Sequence, residues 1–346
     1  MSTVFRVILD STQEVFPNVS TSTASGEGTV VFDSEAVAAS YSFDIQGLDF
    51  GPVTGGPAQT PTVDDNITNT HFHNQVRGAN GQVVFGQIIP AHDNNDLEFV
   101  LNEDGSWSES GRWDTTDPAP ITNTSIVPGG DVTFADILGS ATVGSEVPLY
   151  FNVHTVQFPA GAIRGQLVAI ADDIDEVVTG TVPTATETGN DTLDGGNGND
   201  AILGLAGNDT LNGGNANDVL DGGGGDDTMT GGNGNDMLFG SFGNDTLMGG
   251  NGDDSLDGGA GDDSLTGGKG PDLFAFHAGF GDDTITDLGN GDRIQFDSEV
   301  FATPEDVLDA SEQVGEDTVI TAGMNTVTLL GVQASSLQAD DFLILA

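Results

Sequence analysis

From residue 189 to residue 275 an aspartate occupies every ninth position without a slip, and a large apolar side chain follows each one two places later. The aspartates are Asp191, Asp200, Asp209, Asp218, Asp227, Asp236, Asp245, Asp254, Asp263 and Asp272. Their apolar partners are Leu193, Ile202, Leu211, Leu220, Met229, Leu238, Leu247, Leu256, Leu265 and Phe274, and glycines fill most of the remaining places. A fixed period of this kind marks a repeat architecture. The unit Gly-Gly-x-Gly-x-Asp-x-apolar-x is the one that binds Ca²⁺ in a parallel β-roll.

Each nonapeptide has two tasks. Its first six residues form a tight turn with positive φ at several points, which glycine adopts at little steric cost, leaving carbonyls free to face a cation. Its last three residues form a short strand whose eighth position turns inward. Two units complete one coil, so ten units predict about five coils, a stack of roughly 24 Å at the ~4.8 Å strand spacing. Calcium takes six to eight oxygens and accepts carbonyls mixed with carboxylates, so a site between a turn and the turn two repeats later combines both aspartates with main-chain oxygens. Five turns per side predict about eight such sites. The fifth position is Asn or Asp in nine of the ten units, adding turn-forming side chains near the ion. Ala216 replaces a fourth-position glycine, and Leu205 and Ser241 replace second-position glycines. A Cβ at positive φ costs on the order of 1 kcal/mol, so weaker sites are expected at these turns.

The charge distribution follows the same division. Up to Ile170 there are 20 acidic residues against four arginines; beyond it there are 35 against Lys269 and Arg293. A net charge of −49 repels nucleic acid and anionic membranes and calls for a compensating cation. There is no cysteine, which excludes disulfides and thiolate metal sites. No basic segment followed by an apolar stretch opens the chain, so no cleavable amino-terminal signal is expected, and no apolar run approaches the roughly 20 residues of a membrane span.

The expected organisation has four parts. Residues 1–170 read as an all-β domain, a Greek-key-like β-sandwich, with strand-like runs at 4–9, 29–32, 39–45, 82–89, 149–156 and 163–170. Residues 171–188 have the acid, Thr and Pro content of a solvated linker. Residues 189–275 are the repeats, and 276–346 a β-rich cap with strand candidates at 284–286, 293–296, 318–321 and 326–330.

The repeats resemble the repeats-in-toxin family, or haemolysin-type calcium-binding repeats. Lys269-Gly270-Pro271-Asp272-Leu273-Phe274-Ala275-Phe276, Asp283-Thr284-Ile285-Thr286-Asp287-Leu288 and Gly291-Asp292-Arg293-Ile294 resemble the segment that caps the roll in that family. The ending Ala339-Asp340-Asp341-Phe342-Leu343-Ile344-Leu345-Ala346 is similar to its uncleaved carboxy-terminal signal for type I secretion from Gram-negative bacteria. This resemblance implies the type I secretion machinery as a partner and an extracellular location. A terminal strand docked on the cap is compatible with the same residues.

Residues 5–168 resemble the chordin domain. The likeness rests on Phe5-Arg6-Val7-Ile8-Leu9, Glu14-Val15-Phe16-Pro17, Thr70-His71-Phe72-His73 running into Arg77-Gly78-Ala79-Asn80-Gly81, and Tyr150-Phe151-Asn152-Val153-His154-Thr155 followed by Phe158-Pro159-Ala160-Gly161-Ala162-Ile163-Arg164-Gly165. It implies a β-rich extracellular domain associated with protein binding. His71 and His73 alternate in a probable strand and His154 sits in another, so three imidazoles are a candidate zinc or copper site. Backbone hydrogen bonding is the alternative and the preferred reading. His92 and His277 read as surface residues, and Arg164 as a buried ion-pair partner. No nucleophile elbow, P-loop, dinucleotide fingerprint or zinc-protease helix occurs. The expected function is therefore not enzymatic: a secreted calcium-binding structural or adhesive protein whose partner is a surface protein or polysaccharide. The alternatives are a self-associating fibre or surface-layer subunit and an oxidoreductase centred on the histidines.

Overall fold

A computed structural model of the protein describes residues 2–9, 25–33, 38–46, 67–73, 98–101, 107–113, 138, 141–143, 146–155, 163–174, 176–179 and 189–345. The chain divides into two units, Met1–Asp175 and Glu176–Ala346. The strand expected at 82–89 and His92 lie outside the described residues.

The first unit contains β1 (Ser2–Leu9), β2 (Ser25–Asp33), β3 (Ala38–Gln46), β4 (Ile67–His73), β5 (Glu98–Leu101), β6 (Trp107–Trp113), β7 (Glu146–Thr155) and β8 (Ile163–Ile174). They form one sheet in the order β4-β7-β8-β1-β2-β3-β6-β5, with every pairing antiparallel. The meander β1-β2-β3 with β8 returning beside β1 is a Greek-key arrangement. Both faces of β1 are covered: Val4, Phe5, Val7 and Leu9 are buried together with Arg6. In register, Phe5 pairs with Val30 and Val30 with Tyr41, while Val7 pairs with Gly28 and Gly28 with Phe43. A Cβ on Gly28 would collide with the Phe43 ring, so the glycine makes the space that the aromatic fills. Arg6 forms a buried ion pair with Glu27 and donates from Nη1 to Thr29 Oγ1 at 3.1 Å.

The second unit is a solenoid of about six turns. One sheet stacks β10 (Thr192–Asn197), β12 (Thr210–Asn215), β14 (Thr228–Asn233), β16 (Thr246–Asn251), β18 (Ser264–Lys269) and β20 (Asp282–Ile285). The other stacks β9 (Glu176–Thr179), β11 (Asp200–Leu203), β13 (Val219–Gly224), β15 (Met237–Phe242), β17 (Ser255–Asp257), β19 (Leu273–Phe276), β21 (Arg293–Asp297) and β25 (Phe342–Leu345). All these neighbours pair in parallel, and the repeats pair with an offset of 18 residues, Leu211 beside Met229 beside Leu247. The eighth-position side chains form one buried ladder from Ile202 to Phe274. It continues through Phe276, Phe280, Ile285, Ile294, Phe296 and Phe342 into the cap.

Residues 171–174 and 176–179 of the segment expected as a solvated linker are strands. Residues 171–174 extend β8, and β9 lies against β11 with Val178 opposite Ile202. The acidic composition masked two valines, Val177 and Val178, that give the first coil a strand to pair with. At the other end β22 (Ser311–Val314), β23 (Asp317–Ala322) and β24 (Asn325–Leu329) turn antiparallel and close the first sheet. A short helix, α1 (Pro304–Asp309), buries Val307 beside them and is capped by the Thr303 hydroxyl, which accepts from the Asp306 amide.

Because Arg6 and Glu27 are both buried, Glu27→Ala removes a carboxylate paired with a buried cation and is expected to destabilise the first unit by about 3 to 5 kcal/mol. The double variant Arg6→Met, Glu27→Leu should lose far less. Urea denaturation followed by fluorescence checks this, since both tryptophans of the chain lie in the first unit. Equal losses in the two variants would contradict it.

Candidate metal centre

The turns of the roll owe their shape to positions two and four of each repeat, which take positive φ: 112° at Gly232 and 136° at Gly234. The three departures keep that conformation, at 77° for Leu205, 78° for Ala216 and 74° for Ser241. The strain anticipated from the sequence is therefore present. Ser241 offsets part of it by donating its hydroxyl to Asp221 Oδ1 at 2.9 Å.

The sixth-position aspartates divide their two oxygens between different jobs. Oδ1 accepts a hydrogen bond from the backbone N–H of the aspartate one coil earlier, as in Asp191 to Asp209 at 2.7 Å, Asp218 to Asp236 at 2.9 Å and Asp254 to Asp272 at 2.9 Å. Oδ2 faces inward. In Asp209, Asp218, Asp236, Asp245, Asp254, Asp272 and Asp283 this oxygen is buried with no protein hydrogen-bond donor. The first-position glycine of the same repeat is what leaves room beside it. A Cβ placed on Gly213 would lie 2.5 Å from Asp218 Oδ2 and 2.7 Å from the carbonyl oxygen of Gly231, one coil further on. A carboxylate and a main-chain carbonyl thus border a space that any side chain at this position would fill.

These residues fit calcium. Buried carboxylate oxygens without donors demand a counter-charge, and every available ligand is a hard oxygen, the preference of Ca²⁺ over thiophilic or imidazole-bound metals. Among the described residues no three His, Cys, Asp or Glu side chains converge as a ligating group. Main-chain carbonyls of adjacent coils, such as that of Gly231 beside Asp218, would have to supply the other ligands of a bound calcium. The ion supplies positive charge that neutralises the carboxylate ladder.

Burial drives the proton affinities. Desolvation lifts the carboxyls of Asp209, Asp218 and Asp254 to about 7 and that of Asp236 to about 6, with backbone N–H donors opposing the rise. Asp245 and Asp272 move up for the same reason. Asp283, buried and close to Asp263, rises to about 9.

Nine of the ten predicted aspartates lie in the turns, and Asp200 opens β11. Asp191, at the start of the stack, is only half buried; the others are fully buried. The ladder also extends beyond the predicted set. The Asp263 amide donates to Asp283 at 2.8 Å and the Asp272 amide to Asp292 at 3.0 Å. Two inserted residues, Phe276 and His277, stretch the offset from 18 to 20 and break the nine-residue count, although Gly281-Asp282-Asp283-Thr284-Ile285 repeats the Gly-x-Asp-x-apolar core. The fifth-position side chains build a second ladder of opposite direction, accepting from the next coil's amide, as Asn217 Oδ1 does from Asn235 at 2.8 Å.

His277 is not the plain surface residue expected. Its Nδ1 lies 2.8 Å from Asp297 and its Nε2 3.2 Å from Asp257, tying three neighbouring strands together. Burial would lower its proton affinity, but the two carboxylates outweigh burial and hold it well above the usual histidine range. His71 and His73 lie on β4 and His154 on the adjacent β7, where His154 pairs with Asn69 and Asn152 with His71. Their imidazoles, and the side chain of Arg164, lie outside the described residues.

Residues 5–167 match the CHRD domain, and residues 185–211, 203–238 and 239–274 match the RTX calcium-binding nonapeptide repeat. The chain is a CHRD domain followed by RTX repeats. Among solved structures, this CHRD–RTX chain is similar to the extracellular lipase LipA from Serratia marcescens, at 20% identity and a TM-score of 0.29, covering 51% of the chain and 41% of the lipase. It is also similar to the AlgE6R3 subunit of the Azotobacter vinelandii mannuronan C5-epimerase, at 28% identity and a TM-score of 0.20, covering 37% of the chain and 78% of that subunit. No curated protein matches the chain. No helix among the described residues is long and apolar enough to cross a membrane.

Two measurements follow from the turn geometry and the proton affinities. Ala216→Gly relieves positive φ without losing a hydrogen bond and should stabilise the calcium-loaded roll by roughly 1 kcal/mol. Ser241→Gly should gain less because it forfeits the bond to Asp221; calorimetry of the two variants tests the ranking. The aspartates bind protons more tightly folded than unfolded, where their ordinary value is 3.8. Their contribution to the calcium-free roll is thus fully present below that value and lost as pH rises through about 6 to 7. In chelator, circular dichroism should show roll structure near pH 4.5 that disappears by about pH 8, and the calcium midpoint should rise as pH falls below about 7. A calcium-free spectrum independent of pH would count against this.

Proposed function

We propose that the protein is a calcium-folded, secreted structural or adhesive protein of the Gram-negative cell surface or extracellular matrix, with no catalytic activity. The observation that carries this reading is the inward row of carboxylate oxygens lacking protein donors. A roll built around them is unstable where calcium is scarce and folds where it is abundant, which suits a chain exported unfolded. At ~1 mM external calcium and a Kd of about 0.1 mM, each site adds about 1.4 kcal/mol, and about eight sites shared between successive turns suffice to drive folding. The export address we assign to the carboxy-terminal residues. The CHRD domain we assign the role of binding a surface protein or polysaccharide, in line with an all-β unit whose core is independent of the roll.

Adding millimolar calcium to the chelated protein at neutral pH should produce a large gain in β signal arising from residues 189–345. An unchanged spectrum would remove the folding switch. In cells with a type I exporter, the full chain should reach the medium, whereas a chain lacking residues 337–346 should stay inside. Normal release of the truncated chain would place the address elsewhere. Stoichiometric copper or zinc in the purified first unit would replace the binding role by a metal-dependent one.

A further inference from the structure

Asp283 lies beyond the last matched repeat, in the segment that closes the solenoid. It keeps the contacts of a ladder aspartate, although Ala278 stands where a regular turn has its first-position glycine. Its Oδ1 accepts from the Asp263 amide at 2.8 Å, and the residue before it is held as in a regular turn, the Asp282 backbone N–H donating to Asp262 Oδ1 at 3.0 Å. Gly281 holds φ at 89° and abuts the Gly261 carbonyl as the fourth-position glycines abut theirs. Asp283 is 1% exposed, and its Oδ2 is buried with no donor in the protein.

The opposite side of the solenoid shows what a finished end looks like. There Asp292 also receives the preceding coil's amide on Oδ1, but its Oδ2 accepts from the Gly289 amide at 2.7 Å. Asp287 likewise places both oxygens on the amides of Gly267 and Gly268, each at 2.9 Å. Where the chain closes the ladder with its own donors it does so completely. At Asp283 it does not.

We infer that Asp283 and Asp263 share a further calcium ion at the junction of repeats and cap. The inference rests on calcium binding by the repeats themselves. Ala278 and Gly279, the first two positions of this turn, are exposed, unlike the tightly packed glycines of a regular turn. Water completes the shell, and the site is the weakest of its row and the last to fill. Its ion ties the last coil to the antiparallel closure, because β20 carries β24 and the Thr326 amide donates to the Gly281 carbonyl at 3.0 Å.

The competing explanation is that Asp283 stays a neutral carboxylic acid, for which asparagine is close to isosteric. Native mass spectrometry of the full chain at saturating calcium separates the two. Asp283→Asn should hold one calcium fewer than the wild type; an equal count with a folded roll overturns the inference. Should that variant fail to fold, hydrogen exchange on the wild type across a calcium titration decides. Protection of the Thr284 and Thr326 amides should arrive only with the last ion bound, and full protection before then overturns the inference. A wild type that binds no calcium would instead refute the calcium reading of the repeats as a whole.

Discussion

The second unit depends on a division of labour within one side chain. From Asp209 to Asp272 each sixth-position aspartate uses Oδ1 to tie its coil to the previous one through a backbone amide, and that bond aims Oδ2 into the interior. The hydrogen bond that stacks the coils is thus the one that buries an uncompensated charge. Leucine burial favours the stack by about 1.5 to 3 kcal/mol per side chain, but ionised carboxylates stripped of water oppose it strongly. Apolar core and carboxylate row cannot be satisfied together at neutral pH without a cation. Calcium binding would relieve that opposition, and protonation is another way to neutralise the same oxygens.

A solenoid must also be finished at both ends, since an open coil exposes unpaired strands and core. Here β9 starts one sheet with Val178 in register with the leucine ladder. At the far end a hairpin closes one sheet and β25 adds the last parallel strand to the other, Phe342 beside Ile294. The closing residues belong to the core: Phe276, Phe280 and Phe296 pack ring against ring at 5.1 to 6.1 Å. His277, bridging Asp257 and Asp297, offsets negative charge at the same junction.

The first unit follows different rules. Its sheet is antiparallel, with a long-range core in which Phe5, Tyr41 and Phe43 are buried and the Arg6–Glu27 ion pair is buried beside them. Nothing local in the sequence marks Arg6 as such a partner. Burial of a cation depends on which strands flank it, here β2 bringing Glu27 alongside β1, and no local pattern reports such a pairing.

By itself the sequence determined the architecture of the second unit, because a nine-residue period leaves one arrangement in which every apolar side chain is inside and every aspartate is in a turn. It also determined the all-β character of the first unit, the positive φ at Leu205, Ala216 and Ser241, and the oxygen-only ligand set. Tertiary structure decided what lies outside the period. Pairing between strands absorbed the insertion of Phe276 and His277 and kept Asp283 and Asp292 on the ladder, drew residues 176–179 out of an apparent linker, and gave Asp292 a donor while Asp283 received none. The physical reason is that periodicity encodes only contacts between like residues one coil apart, whereas the ends of the stack are fixed by contacts between unlike segments that share no spacing.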